Sequence, residues 1–175
     1  QRGRKLFGAK IIPSRGAWME FDTESDGVIY VRIDRKRKIP ASAILRIFGL
    51  KSNEEIEKAF SGISDENNFI KKTLAKDPSK NENEAYVEIF KRIRQGELAT
   101  LENAKELVGS MFQKERYDVS EVGRYKLNQR LPNLEKKEKK ERILDKDDLV
   151  EIISEIIRLN SNPQSLPDDI DNLGN

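Results

Sequence analysis

Histidine and cysteine are both absent from the 175 residues. Without cysteine there is no disulfide framework and no thiolate to act as nucleophile or metal ligand. Without histidine the commonest general base and the commonest metal ligand are missing. Ser/His/Asp and Cys/His catalysis are therefore excluded. Long apolar runs are lacking too: none approaches the roughly 20 residues that span a bilayer as a helix. No basic stretch followed by an apolar one marks a secretory leader. The 10 glycines are scattered and no Gly-Lys-Ser/Thr occurs, so there is no phosphate loop. Charge of one sign is also missing: 33 basic residues face 31 acidic ones, a net +2. Any nucleic-acid signal has to come from local clustering rather than from the average.

What is present is a chain of 36% hydrophobic and 37% charged residues. Its length suits one domain, and a folded chain of that size buries roughly two-thirds of its extended surface. The core has to be thin or assembled from small modules. The start at Gln1 and the stop after Leu173-Gly174 lead us to expect a piece of something larger.

The first third reads as strand. Leu6–Pro13 is short and apolar, Gly16 breaks it, and Ala17–Asp22 follows. Asp26-Gly27 is a turn signal, and Val28–Ile33 is a β-branched run after it. Pro40 then opens a helix at Ala41 that carries Ile44, Leu45 and Phe48 and stops at Gly49. The rest reads as helical. Ser52 with Glu55 forms a capping box ahead of Ile56, Ala59 and Phe60. Phe69–Leu74 is a further short helix. Tyr86, Ile89, Phe90 and Ile93 recur at helical spacing, and so do Leu101, Ala104, Leu107, Val108 and Met111. Asp118 with Glu121 reads as a second capping box, opening Val119–Arg130. Asp145 with Asp148 caps a last helix whose face is Leu149, Ile152, Ile153 and Ile156. Ala75–Asn83 reads as a polar loop outside the core, and Glu135–Arg142 as a solvated charged hairpin or linker. The expected fold is α+β: a small antiparallel sheet packed beside an array of short helices. The chain divides into a strand-rich part over 1–40, a helical part over 41–160 and a C-terminal connector over 161–175.

Three features could carry chemistry. Arg32, Arg35, Lys36, Arg37 and Lys38 fall within seven residues at a strand end. Strand alternation turns about half of such a run toward one partner. Phosphate recognition and a charged surface turn that discourages edge pairing are both open readings. Trp18, the single tryptophan, is either a stacking platform beside these arginines or an ordinary buried residue of the sheet. Asp168, Asp169 and Asp171 could hold a divalent metal, read the Watson–Crick edge of a guanine, or cap a turn. The spacing of a calcium loop is not there. No acid/base constellation stands out.

Four segments occur in one order and together carry a resemblance. Ile11-Ile12-Pro13-Ser14-Arg15-Gly16-Ala17-Trp18 is similar to an IIP-x-RG-x-W segment. Val31 to Pro40 resembles an RIDR-x-RK-x-P segment, and Arg116 to Lys126 an RYDL-x-x-VGR-x-K segment. Asp168 to Asn175 resembles DDIDHLGN, with Asn172 where the pattern has histidine. The ordered set resembles the lobe region, the domain 2 region of Rpb2-like subunits, of the β subunit of bacterial DNA-directed RNA polymerase.

The resemblance implies one jaw of a main cleft that contacts the non-template DNA strand and has no catalytic centre of its own. The magnesium of the complete enzyme would be bound by another subunit, and no cofactor is expected in this segment. Implied partners are DNA, the β′ and α subunits and σ factor, with no membrane. The implied setting is the bacterial cytoplasm, at the nucleoid. At matched positions, Trp18 would stack on a non-template base at the downstream edge of the bubble. Asp34 and Arg35 would line the pocket for the next base, a guanine by preference. Asp171 would read that guanine, with Ile170 as its apolar neighbour. Arg32, Arg35 and Arg37 would neutralise phosphates. The competing reading is a docking module for σ factor or transcription regulators, which requires exposed apolar residues on the helices of 85–130.

Overall fold

The computed structural model describes residues 6–134 and 142–161. Its first part is a four-stranded antiparallel sheet in the order β1-β2-β3-β4. The strands are β1 (Gly8–Ile11), β2 (Met19–Thr23), β3 (Ile29–Ile33) and the short β4 (Ile39–Pro40). Alternation along Met19-Glu20-Phe21-Asp22-Thr23 decides which face is buried: Met19, Phe21 and Thr23 point in, while Glu20 and Asp22 point out. Register then places Met19 opposite Ile33 and Phe21 opposite Val31 on the inner face. On the outer face Lys10 lies opposite Glu20, and Glu20 opposite Arg32. The Asp26-Gly27 turn is present: Gly27 has φ +81°, and the Asp26 carboxylate accepts from the Val28 amide at 2.9 Å.

Seven α-helices follow among the described residues. They are α1 (Ala41–Ile47), α2 (Asn53–Ala59), α3 (Phe69–Lys76), α4 (Glu82–Ile93), α5 (Leu101–Met111), α6 (Ser120–Arg130) and α7 (Lys146–Ser161). A single 3₁₀ turn, Pro132–Leu134, follows α6. Helix α1 ends as its sequence requires. Gly49 takes φ +123°, its amide donates to Arg46 O, and the Leu50 amide reaches back to Leu45 O. That pair of bonds is a Schellman closure. The Ser52/Glu55 capping box on α2 is complete in both directions. At α7 the Asp148 amide donates to Asp145 Oδ1 and the Asp145 amide to Asp148 Oδ2, each at 3.0 Å. The inner sheet face, α1, α3, α4 and α7 share one hydrophobic core that includes Phe21, Val31, Ile44, Ile89 and Ile153. The α+β architecture is therefore as expected.

Two local expectations are corrected. The Ala75–Asn83 segment is a loop only over 77–81, and two of its polar residues are buried rather than outside the core. Helix α3 runs to Lys76, and Asp77 and Ser79 are buried. The Asp77 carboxylate accepts from Ser42 Oγ at 2.6 Å, from Ser79 Oγ at 2.6 Å and from the Ser79 amide at 2.8 Å. It also faces the fully buried Arg46, whose Nε lies 3.4 Å away. The second correction concerns Asp118 with Glu121, which do not form a capping box. The Asp118 carboxylate is taken by Arg142 and by the Ser120 amide, and it is Ser120 Oγ that accepts from the Gly123 amide.

Candidate nucleic-acid interface

The site is built where β2 begins and β3 ends. Ile33 to Lys36 make a tight turn in which the Lys36 amide donates to Ile33 O at 3.0 Å. Asp34 and Arg35 have φ +55° and +60°, the signature of a type I′ turn. Neither is glycine, and left-handed backbone costs a side-chain-bearing residue about 1–2 kcal/mol. The turn is held in this form by Trp18. The Asp34 amide donates to Trp18 O at 2.8 Å, and the Trp18 amide donates to Asp34 Oδ1 at 3.3 Å.

This geometry lays Arg35 against the tryptophan: its guanidinium carbon is 4.7 Å from the ring centroid. Lys10 Nζ lies 5.6 Å from the same centroid. Trp18 is half-buried, so it is neither a core tryptophan nor a fully open platform. Asp34, Arg35 and Arg37 are exposed. Arg32 sits one strand step inward on the outer face and pairs with Asp22 at 3.1 Å. Nearby, Lys38 pairs with Glu24 at 2.6 Å and lies 4.3 Å from the Tyr30 ring centroid. Burial, together with the hydrogen bond from its hydroxyl to Asp26, pushes Tyr30 up to about 12.

The structure thus brings Trp18, Asp34 and Arg35 together at one corner, with Arg32 on the adjoining outer face. Ile170 and Asp171 lie outside the described residues, as do Asp168 and Asp169. Among the described residues no group of three or more carboxylates is placed to hold a metal ion. Lys10 and Glu20 were missed as members of this corner. The available signal was parity: Glu20 is two residues beyond Trp18 on the same strand face.

Two of the ordered segments also meet in space. The Ser14 and Arg15 amides both donate to Asp118 O, and the Asp118 amide donates to Arg15 O at 2.9 Å. The Arg15 guanidinium donates to Lys114 O at 2.8 Å. Arg142 clamps the Asp118 carboxylate through two bonds, at 2.9 and 2.7 Å, and holds its pKa below the usual carboxylate range. Arg124, from the same segment as Asp118, is fully buried. It forms a two-pronged pair with Asp148 at 2.7 and 2.8 Å, so its role is internal.

Fold and corner together define a class: a small α+β module that displays a basic, tryptophan-bearing sheet edge. The chain belongs to the RNA polymerase Rpb2 domain 2 family, whose model matches residues 2–175. It is 42% identical over 177 residues to the DNA-directed RNA polymerase subunit beta of Dehalococcoides mccartyi strain BAV1, and equally to that of strain CBDB1. Each match covers 99% of this chain and 14% of the relative, so the chain spans about one-seventh of their length. Among the described residues no helix is long and apolar enough to cross a membrane.

Proposed function

We propose that this chain is a non-catalytic DNA-contacting domain of a bacterial RNA polymerase β subunit. It helps form the downstream cleft and holds the non-template strand. Its surroundings are then the β′ and α subunits, σ factor and DNA in the cytoplasm, and the catalytic magnesium is held by another subunit. The observation that carries this reading is the convergence of Trp18, Asp34 and Arg35 at one exposed corner. An indole offers any unpaired base a π-face, and the arginines beside it attract the phosphates that base brings along. Asp34 keeps the ring in place through the backbone on both sides of the turn.

In the assembled polymerase, Trp18→Ala is expected to weaken binding of an unpaired non-template strand by about 1–3 kcal/mol. A direct binding titration reads this, and unchanged affinity overturns the stacking role. Base reading is assigned to Asp171 with Ile170 beside it. Asp171→Ala is expected to lower the preference for guanine at that position, and equal affinity of the parent enzyme for all four bases overturns it.

A second reading has its own support. Val122 is 59% exposed and Tyr125 46%, both on α6, and Leu98, in the loop before α5, is 79% exposed. Exposed apolar residues of this size suit docking of σ factor or a regulator. Capture of purified σ factor by this chain, abolished by Leu98→Asp, supports it; no capture counts against it.

A further inference from the structure

The ring of Trp18 is flanked by two cations that share one counter-ion. Lys10 Nζ lies 3.7 Å from Glu20 Oε1, and Arg35 Nε lies 4.0 Å from the same oxygen. The register explains the meeting: Lys10 is directly across from Glu20 on β1, and Trp18 precedes Glu20 by two residues on the same face. Glu20 is the least accessible of the three, its side chain 18% exposed against 49% for Lys10 and 70% for Arg35. The other charged groups of this face are committed elsewhere. Arg32 pairs with Asp22, and Asp34 accepts from the Trp18 amide. One carboxylate oxygen therefore faces two exposed cations, each at the long limit of ion pairing, and offsets only one of their two charges. Such loose, water-facing pairs contribute little and exchange readily.

We propose that Glu20 is a positioning residue that holds Lys10 and Arg35 against the Trp18 ring and is exchanged for a DNA phosphate when the strand arrives. This rests on the DNA-contacting reading above and adds Lys10 to the phosphate-binding set. An incoming phosphate offers the two cations several anionic oxygens in place of one. It draws them off the indole as it binds, so capture of the backbone uncovers the surface on which the base stacks. The carboxylate also lowers the positive charge beside the ring while no strand is present.

The test uses the assembled polymerase and an unpaired non-template strand carrying 2-aminopurine at the stacking position, titrated across a range of salt concentrations. Lys10→Gln is expected to weaken binding about two- to fivefold, the range of an exposed ion pair. It also lowers the slope of log affinity against log salt by about 0.7, as expected for one lost phosphate contact on a single strand. Glu20→Gln is expected to tighten binding by about the same factor. Glu20→Asp, which keeps the charge, stays near the parent, and the gain from Glu20→Gln vanishes in a Lys10→Gln/Arg35→Gln background. The 2-aminopurine quenching reports stacking separately from affinity. If Glu20→Gln binds no more tightly while Trp18→Ala still weakens binding, the exchange is overturned and the DNA-contacting reading stands. If Trp18→Ala, Lys10→Gln and Glu20→Gln are all without effect, both fall.

Discussion

Arg124 and Asp148 face each other with neither side chain reaching water. Such a pair is a poor source of net stability but a costly one to break, because the survivor is left charged and dry. Asp148→Ala is expected to destabilise the chain by about 3–5 kcal/mol, read from denaturant unfolding. Arg124→Lys is expected to fall short of full rescue, since a lysine cannot replace two parallel bonds and a third to Ile143 O. Asp118 differs in that its partner, Arg142, is half-exposed, so this pair is open to solvent. Its hydrogen bonds from Arg142 lower its pKa in the folded state. Its contribution is therefore complete above the ordinary aspartate value and is lost as pH falls through the lowered folded value. A carboxyl-resolved NMR titration is expected to show Asp118 titrating below ordinary aspartates. In Arg142→Ala it moves back toward the usual range, and an unmoved midpoint would mean that Arg142 is not the cause. Tyr30 has the opposite sign. Its raised pKa of about 12 means that its contribution is intact below the ordinary tyrosine range and fades as pH climbs through about 12.

Between elements, one close junction is Gly16 against the segment that leads into α6. Gly16 has φ +119°, and a Cβ there would lie 2.7 Å from both Arg116 O and the Tyr117 ring. Gly16→Ala combines left-handed strain with a clash against backbone, and is expected to cost about 1–3 kcal/mol in thermal or denaturant unfolding. The turn at Asp34-Arg35 makes the reverse case. Arg35→Gly relieves left-handed strain but gives up a cation, so stability is expected to hold or rise by up to about 1 kcal/mol while strand binding weakens. A variant that loses both would show that the arginine stabilises the turn. These elements also mark what could be read from sequence. Ser52/Glu55 and Asp145/Asp148 were legible because a capping box is local: two side chains, three residues apart, serve each other's backbone. Asp118/Glu121 has the same spacing and failed because Arg142, distant in sequence, takes the carboxylate. The burial of Asp77 in its loop was not legible for a similar reason, since its partners Arg46 and Ser42 lie more than thirty residues away. The left-handed pair at Asp34-Arg35 carried no glycine or asparagine to announce it. The exposure of Trp18 was left open by the sequence; of the cations that flank it Arg35 was anticipated and Lys10 was not.

Across the whole molecule, the two ends of the described chain are tied by one carboxamide. Asn160 Oδ1 accepts from the Phe7 amide at 2.9 Å, and its Nδ2 donates to Thr23 Oγ1 at 2.9 Å and to Ile156 O at 3.0 Å. Thr23 Oγ1 in turn donates to Phe7 O at 2.8 Å. All of these groups are buried, so the network ties the start of β1 and the end of β2 to α7 inside the fold. The corner that holds Trp18 hangs from the same two strands, since Lys10 is on β1 and Glu20 on β2. The Trp18 corner thus hangs from strands whose far side is fastened by residues late in the chain. Asn160→Leu keeps the volume but removes the acceptor of the Phe7 amide and the donor to Thr23 Oγ1, and is expected to destabilise the fold by about 1–3 kcal/mol in denaturant unfolding. Native-state hydrogen exchange is expected to show the β1–β2 amides and those of α7 losing protection together, because neither element keeps its buried face without the other. If the Phe7 amide alone opens while β1, β2 and α7 stay protected, the sheet and the last helix are independent. The corner at Trp18 would then be supported by its own turn and strands, not by closure of the whole fold.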